Sequence, residues 1–229
     1  MTTTFHWMQD GPAAATWNMA VDDLLLQQVA AIGHPVLRFY SWNEPAATLG
    51  YFQHFADVAS WTSLRPLIRR PTGGGLVQHD RDWTYSLIFP PSHPWYQLRA
   101  VASYQALHDW IRRSFEILGT ATQLSDCCQK DVVGQCFVGA EKFDLLMDGK
   151  KIAGAAQRRT RDGLLIQGSI QNIIQRVDQS QWQQAMRQVT PLADQAVIWR
   201  PLALDPSWAD ATKNLVNTKY GRPEYNEKR

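Results

Sequence analysis

The sequence predicts an α+β fold, in which helices flank a mixed and mostly antiparallel sheet. Two long segments carry apolar residues at helical spacing, and several shorter segments have the alternating or apolar pattern of strands. Strands and helices do not alternate regularly, as they would in a parallel α/β sheet. No internal repeat and no Pro/Ser/Gly-rich linker divides the 229 residues. We therefore expect a single domain over residues 1–229.

The N-terminal half predicts one helix followed by four strands. Residues 18–33, NMAVDDLLLQQVAAIG, have apolar residues at helical spacing and end on Gly33, which is typical of a C-terminal cap. The strands are predicted at PVLRFYSW, AATLGYFQ, RPLIRRP and DWTYSLIFP. The third of these leads directly into a run of glycines.

The C-terminal half predicts a second long helix, a meander and further helices. Residues 101–118 place apolar side chains on one face, with His108 among them as a core histidine. Residues 143–170 contain the turn signals Asp148–Gly149 and Asp162–Gly163, which separate three strands. The rest is predicted to be largely helical, around residues 181–188 and 207–220.

Composition excludes several classes of protein. The formal net charge is +2 with acids and bases interspersed, which gives no support for nucleic-acid binding. No run of about 18 apolar residues is present, and the N-terminus lacks the basic-then-apolar pattern of a signal peptide. Cys127, Cys128 and Cys136 form neither a disulfide framework nor a metal-site spacing. We expect a cytoplasmic protein that does not bind a membrane and has no metal site formed by its own residues.

The stretch RRPTGGGLVQHD, residues 69–80, is the first candidate binding element. Successive glycines are costly to order, and they suit a turn in which a ligand contacts the main chain. Consecutive backbone N–H groups can form an anion-binding nest, and arginine side chains can bind the same anion. A tight connection between two strands is the alternative interpretation.

Cys136 and Lys151 are the candidate reactive groups. A lone cysteine is more often a small core residue, and a lone lysine in a hairpin is more often solvated. Lys150 and Lys151 are adjacent, so on a strand their side chains point to opposite faces. If Lys151 points inward, the small residues 153–156 leave room for a ligand beside it. A nearby ammonium would also raise the thiolate fraction of a cysteine nucleophile. These residues alone do not identify a substrate.

Three stretches together resemble the lipoate–protein ligase, octanoyltransferase and biotin-ligase superfamily: VLRFYSWNEPAATLGYFQ, RRPTGGGLVQHDRDWTYSLIF and DGKKIAGAAQRRTRDGLLIQGSI. The likeness covers nearly the full chain. It implies a catalytic domain that joins lipoate or octanoate to one lysine of a lipoyl carrier domain. It also implies that Cys136 and Lys151 are catalytic. Substrate binding is then expected at Arg70, Gly73, Gly74, Gly75, His79, Gly154, Ala156 and Gln157.

The resemblance allows two mechanisms. In the first, Cys136 takes octanoate from octanoyl-acyl carrier protein as a thioester, without a cofactor. In the second, an ATP- and Mg²⁺-dependent ligase activates free lipoate or octanoate through an acyl-AMP. Two features of Cys136 favour the thioester mechanism: Phe137 follows it directly, and it lies at the expected distance from the KIAGAAQ motif. Weaker alternatives are biotin ligation and a non-catalytic module that binds lipoyl carriers. No separate C-terminal accessory domain is expected.

Overall fold

The computed structural model describes residues 2–126, 137, 139–173, 177–189, 196–204 and 206–228. The strands are β1 Thr2–Ala13, β2 Val36–Trp42, β3 Ala46–Leu49, β4 Leu67–Arg69, β5 Val77–His79, β6 Trp83–Phe89, β7 Gln123–Leu124, β8 Leu145–Met147, β9 Lys150–Arg159, β10 Leu164–Ile170 and β11 Ala196–Pro201. The helices are α1 Ala15–Ile32, α2 Phe55–Trp61, α3 Pro94–Gln97, α4 Ala100–Glu116, α5 Gln179–Gln188, α6 Pro206–Leu215 and α7 Pro223–Asn226, with a π-helical turn at Val216–Tyr220.

Two sheets form the framework of the fold. The large sheet has eight strands in the order β11-β1-β2-β6-β10-β9-β8-β7. β1 pairs in parallel with β11 and β2, and the remaining neighbours are antiparallel. A small sheet has the order β4-β3-β5 and carries the glycine run between β4 and β5. The predicted α+β class, with a mixed and mostly antiparallel sheet, is confirmed.

Helix α1 covers one face of the large sheet. Its buried residues Val21, Leu25 and Val29 pack against an apolar row from β2, β6 and β10. The helix ends as predicted, because Gly33 adopts the left-handed conformation with φ +74° and donates its N–H to the Val29 carbonyl. Burial of this apolar face holds α1 against the large sheet.

Helix α4 covers the opposite face with Leu107, Trp110, Ile111 and Phe115. The predicted apolar face is confirmed except at its first residue, since Val101 is 63% exposed. His108 is fully buried, as predicted for a core histidine. The three strands predicted in residues 143–170 are β8, β9 and β10, separated by the two predicted turns.

The helices predicted around residues 181–188 and 207–220 are present, but the edge strand β11 between them was not predicted. AVIWRP is a short apolar run, and periodicity alone cannot distinguish a strand from a helix in such a run. Its partner β1 comes from the other end of the chain, so no local signal marks the pairing. Among the described residues, no helix combines the length and apolar character needed to cross a bilayer.

Candidate active site

A cavity of about 720 Å³ opens between the glycine run, β9 and the start of α4. Every predicted site residue within the described ranges lines it: Arg70, Gly73, Gly74, Gly75, His79, Lys151, Gly154, Ala156 and Gln157. Cys136 lies outside the described residues. Phe137, which follows it in the sequence, is on the cavity wall. The structure thus brings the two predicted motifs to one place.

The glycine run, residues 73–75, is supported from beneath by two buried arginines. Arg69 is fully buried and donates hydrogen bonds to the main-chain carbonyls of Gly50, Tyr51 and Gln53. It also donates to the carbonyls of Tyr225 and Asn226 in the C-terminal segment. Arg69 therefore links the C-terminal segment and the turn after β3 to β4, the strand that leads into the glycine run.

Arg70 braces the glycine run itself. Its guanidinium donates to the carbonyls of Thr48, Gly73 and Gly75, and only 4% of the residue is exposed. A planar fork of donors suits several fixed carbonyls at once, so Arg70 holds the loop in one shape. Its predicted role in binding substrate stays a prediction, and the structure adds this bracing role.

Gly50 is needed for the shape of the same loop, although the sequence alone does not single it out. A Cβ atom built on Gly50 would lie 1.8 Å from the carbonyl oxygen of Gly74. Gly74 adopts φ +82°, which favours glycine. At Gly73, by contrast, a Cβ atom meets nothing within 4 Å. Gly50 and Gly74 are thus structural glycines, and Gly73 borders open space.

A buried polar network connects the loop to the sheet. Asp22 of α1 accepts hydrogen bonds from Arg38 Nη1 and Gln167 Nε2, each at 2.7 Å. Thr72, just before the glycines, donates to Gln167 Oε1 at 2.7 Å. Because all four of these residues are buried, each needs its polar partner. The network fixes the loop relative to α1 and β10.

His79 is held in the cavity wall by partners on both ring nitrogens. Nδ1 is 2.8 Å from Asp82 Oδ2, and Nε2 is 2.9 Å from the Thr48 hydroxyl. Its ring stacks on Trp42 with centroids 3.9 Å apart. Asp80, the acidic residue next to His79 in the sequence, is exposed. The carboxylate that orients His79 is therefore Asp82.

Lys151 is a nearly buried cation on the cavity wall. The two lysines differ in burial, in line with the opposite faces predicted from strand alternation. Lys150 is exposed, and the side chain of Lys151 is only 7% exposed. Its Nζ lies 2.6 Å from Oδ2 of Asp144, a fully buried carboxylate. Gly154 makes room for this arrangement, since a Cβ atom there would lie 3.0 Å from Lys151 Nζ. The ammonium also lies 5.0 Å from the ring centroid of Phe137.

Tyr104 completes the wall on the α4 side. Its hydroxyl donates to Asp144 Oδ1, and burial together with that carboxylate raises the pKa of Tyr104 well above its usual value. The ring contacts His108 with centroids 4.2 Å apart. Burial, with a smaller contribution from the Lys151 charge, lowers the pKa of His108 to about 3. His108 is therefore neutral at physiological pH.

Sequence reasoning missed Asp144, Tyr104, Gly50 and Asp22. Asp144 has a weak signal, since it is an acid in an apolar run seven residues before Lys151. In the part of the chain that the structure describes, no three His, Cys, Asp or Glu side chains come together as a metal site would require.

Comparison with known proteins identifies the family. Residues 14–194 match the model of the lipoyl protein ligase A/B catalytic domain. The chain belongs to this family. The resemblance predicted from the glycine run and the KIAGAAQ motif is confirmed.

One curated relative and two solved structures are similar to this chain. The octanoyltransferase LipM of Exiguobacterium sp. is 35% identical over 182 residues, covering 73% of this chain and 66% of that protein. The chain thus spans just under two thirds of the length of this relative.

Among solved structures, lipoate-protein ligase A bound with ATP has a TM-score of 0.74 at 17% identity, covering 99% of both chains. The bi-partite lipoate protein ligase of Thermoplasma acidophilum, studied with its E2 lipoyl domain, has a TM-score of 0.73 at 18% identity. It covers 99% of this chain and 96% of that chain. At these identities the likeness shows the fold.

Proposed function

We propose that this protein is an acyltransferase that attaches an octanoyl or lipoyl group to a specific lysine of a lipoyl carrier domain. The observation that carries the proposal is the buried Lys151 ammonium on the wall of a cavity large enough for a medium-chain acyl group. The similarity to the octanoyltransferase LipM of Exiguobacterium sp. supports the proposal as well. That residues 1–229 form a single catalytic domain without an accessory domain stays a prediction.

The first half-reaction loads the enzyme. The thiolate of Cys136 attacks the thioester carbonyl of octanoyl-acyl carrier protein. The bond between the carbonyl carbon and the carrier's sulfur breaks, and the carrier leaves as its thiol after taking up a proton. The octanoyl group is then a thioester on Cys136. The support from the structure is the position of Phe137, the next residue in the sequence, on the cavity wall.

The second half-reaction modifies the lipoyl domain. The neutral amine of the carrier lysine attacks the enzyme thioester, an amide forms, and the thiol of Cys136 is restored. In both halves the carbonyl oxygen gains negative charge. Lys151 donates a hydrogen bond to this oxygen, a contribution that is typically worth about 10²–10³ in rate.

ATP-dependent ligation is the second candidate, and Gly73 is the observation that favours it. Because a Cβ atom at Gly73 meets nothing within 4 Å, a phosphate group has room to reach the main chain there. Lys142 and Lys151 on the cavity wall offer cations to the same group. When bound, ATP would supply activation of a free acid, which the thioester donor makes unnecessary.

One assay separates these functions. The protein is incubated with an unmodified lipoyl domain and either octanoyl-acyl carrier protein without nucleotide, or free octanoate or lipoate with ATP and Mg²⁺. Intact mass measures acylation of the domain. We expect modification in the thioester arm, with an octanoyl adduct on the enzyme that hydroxylamine removes. Cys136→Ser abolishes both products, and the matched control Cys128→Ser retains them.

Two results would contradict the proposal. Modification in the ATP arm alone, unaffected by Cys136→Ser, identifies a ligase. Binding of the lipoyl domain without modification in either arm identifies a non-catalytic module.

A further inference from the structure

Asp144 lies at the centre of a small group of contacts at the wall of the cavity. It is fully buried, and its Oδ2 accepts from the Glu141 main-chain N–H at 2.6 Å and pairs with Lys151 Nζ at 2.6 Å. Its Oδ1 accepts from the Tyr104 hydroxyl. A buried carboxylate is retained only with such partners, because an uncompensated charge is costly. Asp144 is therefore held in one position, and it in turn holds the ammonium.

Tyr104 links three elements through one oxygen. Its hydroxyl donates to Asp144, which precedes β8, and accepts from the main-chain N–H of Ala155 in β9 at 3.4 Å. The residue itself belongs to α4. Because its pKa is raised by burial and by Asp144, the phenol keeps its proton throughout the neutral range. It is a permanent donor to the carboxylate.

The Lys151 side chain is flexible, so its ammonium needs partners that fix its direction. A lysine side chain has four flexible carbons, and fixing it costs rotamer freedom. Lys151 lies against the main chain of Gly154, where a Cβ atom would be 2.9 Å from Lys151 Cε, and this glycine has no side chain that could hold the ammonium. The direction of the ammonium is therefore set by Asp144, and the direction of Asp144 by Tyr104.

We propose that Tyr104 and Asp144 are positioning residues that aim the Lys151 ammonium at the acyl carbonyl oxygen. This inference rests on the proposed acyl transfer. It differs from a role in stability alone, since a group that only stabilises the fold would not alter the rate of the folded enzyme. Small misplacements of a catalytic group lower the rate by up to about 10²-fold.

Tyr104→Phe tests the hydroxyl and keeps the ring in the cavity wall. We expect kcat for octanoyl transfer to fall about tenfold, with KM for the octanoyl donor changed less than twofold. Asp144→Asn should lower kcat about 100-fold, and Asp144→Glu should recover part of the loss. The matched control is Tyr96→Phe, because the Tyr96 hydroxyl donates to the Thr160 carbonyl at 2.8 Å, beyond the end of β9. This control should keep the wild-type kcat.

A second readout does not depend on activity. Limited labelling with acetic anhydride, followed by peptide mass spectrometry, gives the rate at Lys151 relative to its exposed neighbour Lys150. We expect this ratio to rise severalfold in Tyr104→Phe and to stay unchanged in Tyr96→Phe.

The outcomes separate this inference from the proposed function. If the wild type transfers octanoate and Tyr104→Phe matches it in kcat, the positioning role is wrong and the proposed function stands. If the wild type transfers nothing, the proposed function fails, and the labelling ratio alone decides whether Tyr104 holds Lys151. An unchanged ratio in that case overturns the inference.

Discussion

The two sides of the cavity use buried cations differently. Beside the glycine run, Arg69 and Arg70 direct hydrogen bonds to main-chain carbonyls and so shape the loop. On β9, Lys151 pairs with the carboxylate of Asp144 and lies on the cavity wall. From sequence, the arginines have the pattern of an anion site and the lysine that of a solvated hairpin. The contrast shows that the partner of a buried cation, rather than its charge, decides whether it holds main-chain carbonyls in place or presents an ammonium on the cavity wall.

The different use of arginine and lysine on the two sides follows from the geometry of their side chains. A guanidinium is planar with five donors, so one arginine can satisfy several carbonyls that converge on it. An ammonium is a compact charge on a flexible stem, and it needs one strong partner to fix its direction. The arginines thus hold the glycine run rigid. On β9, the pairing with Asp144 directs the Lys151 ammonium.

The largest expected effect comes from Lys151→Ala. Acyl transfer should fall about 10²–10³-fold, because the donor to the carbonyl oxygen is lost. Stability should also fall by about 3 kcal/mol, since Asp144 is left buried without its cation. Steady-state transfer and urea unfolding measure the two effects. Lys150→Ala is the control and should change neither, and equal losses in both variants would contradict the assigned directions of the two lysines.

A pair of glycine substitutions tests the loop side. Gly50→Ala should destabilise the protein by about 2 kcal/mol and lower activity, because the new methyl group collides with the Gly74 carbonyl. Gly73→Ala should change stability by less than about 1 kcal/mol, since its methyl group enters open space. Its effect should appear instead as a raised KM for the acyl donor. Similar unfolding curves for the two variants would refute this distinction.

The expected effect that is smallest at neutral pH concerns His108, behind Tyr104. The pKa of His108 is lowered to about 3 in the folded protein, so the unfolded chain takes up a proton first as the pH falls. Its contribution to stability is complete above about pH 6.5 and is lost progressively towards pH 3. At pH 5 the loss is about 2 kcal/mol.

His108→Leu should remove this part of the pH dependence of urea unfolding. The exposed His54 provides a control, and His54→Leu should leave the pH dependence as in the wild type. Some dependence will remain in His108→Leu, because burial also lowers the pKa of His93, to about 4. Identical pH profiles for wild type and His108→Leu would exclude the assigned role.

The sequence predicts features that local rules decide. Gly33 marks the end of α1, the two Asp–Gly turns divide β8, β9 and β10, and alternation separates Lys150 from Lys151. The glycine run and the KIAGAAQ motif then identify the family and two parts of the cavity wall. Each of these signals is contained in a short stretch of sequence, which is why periodicity and turn chemistry capture it.

The remaining features depend on contacts between distant parts of the chain. Arg69 meets acceptors near residue 226, and Tyr104 meets Asp144 across two elements. β1 finds β11 at the opposite end of the chain. No spacing rule predicts such partners, since they arise only when the sheet is assembled. For the same reason, the choice of Asp82 over Asp80 as the partner of His79 is visible only in the fold.

The hydrogen bonds between Arg69 and the C-terminal segment matter for the design of truncated variants. The carbonyls of Tyr225 and Asn226 accept hydrogen bonds from the arginine beneath the glycine run, so α7 supports the cavity from a distance. A truncation before α7 would loosen the cavity wall, although residues 223–226 do not line the cavity.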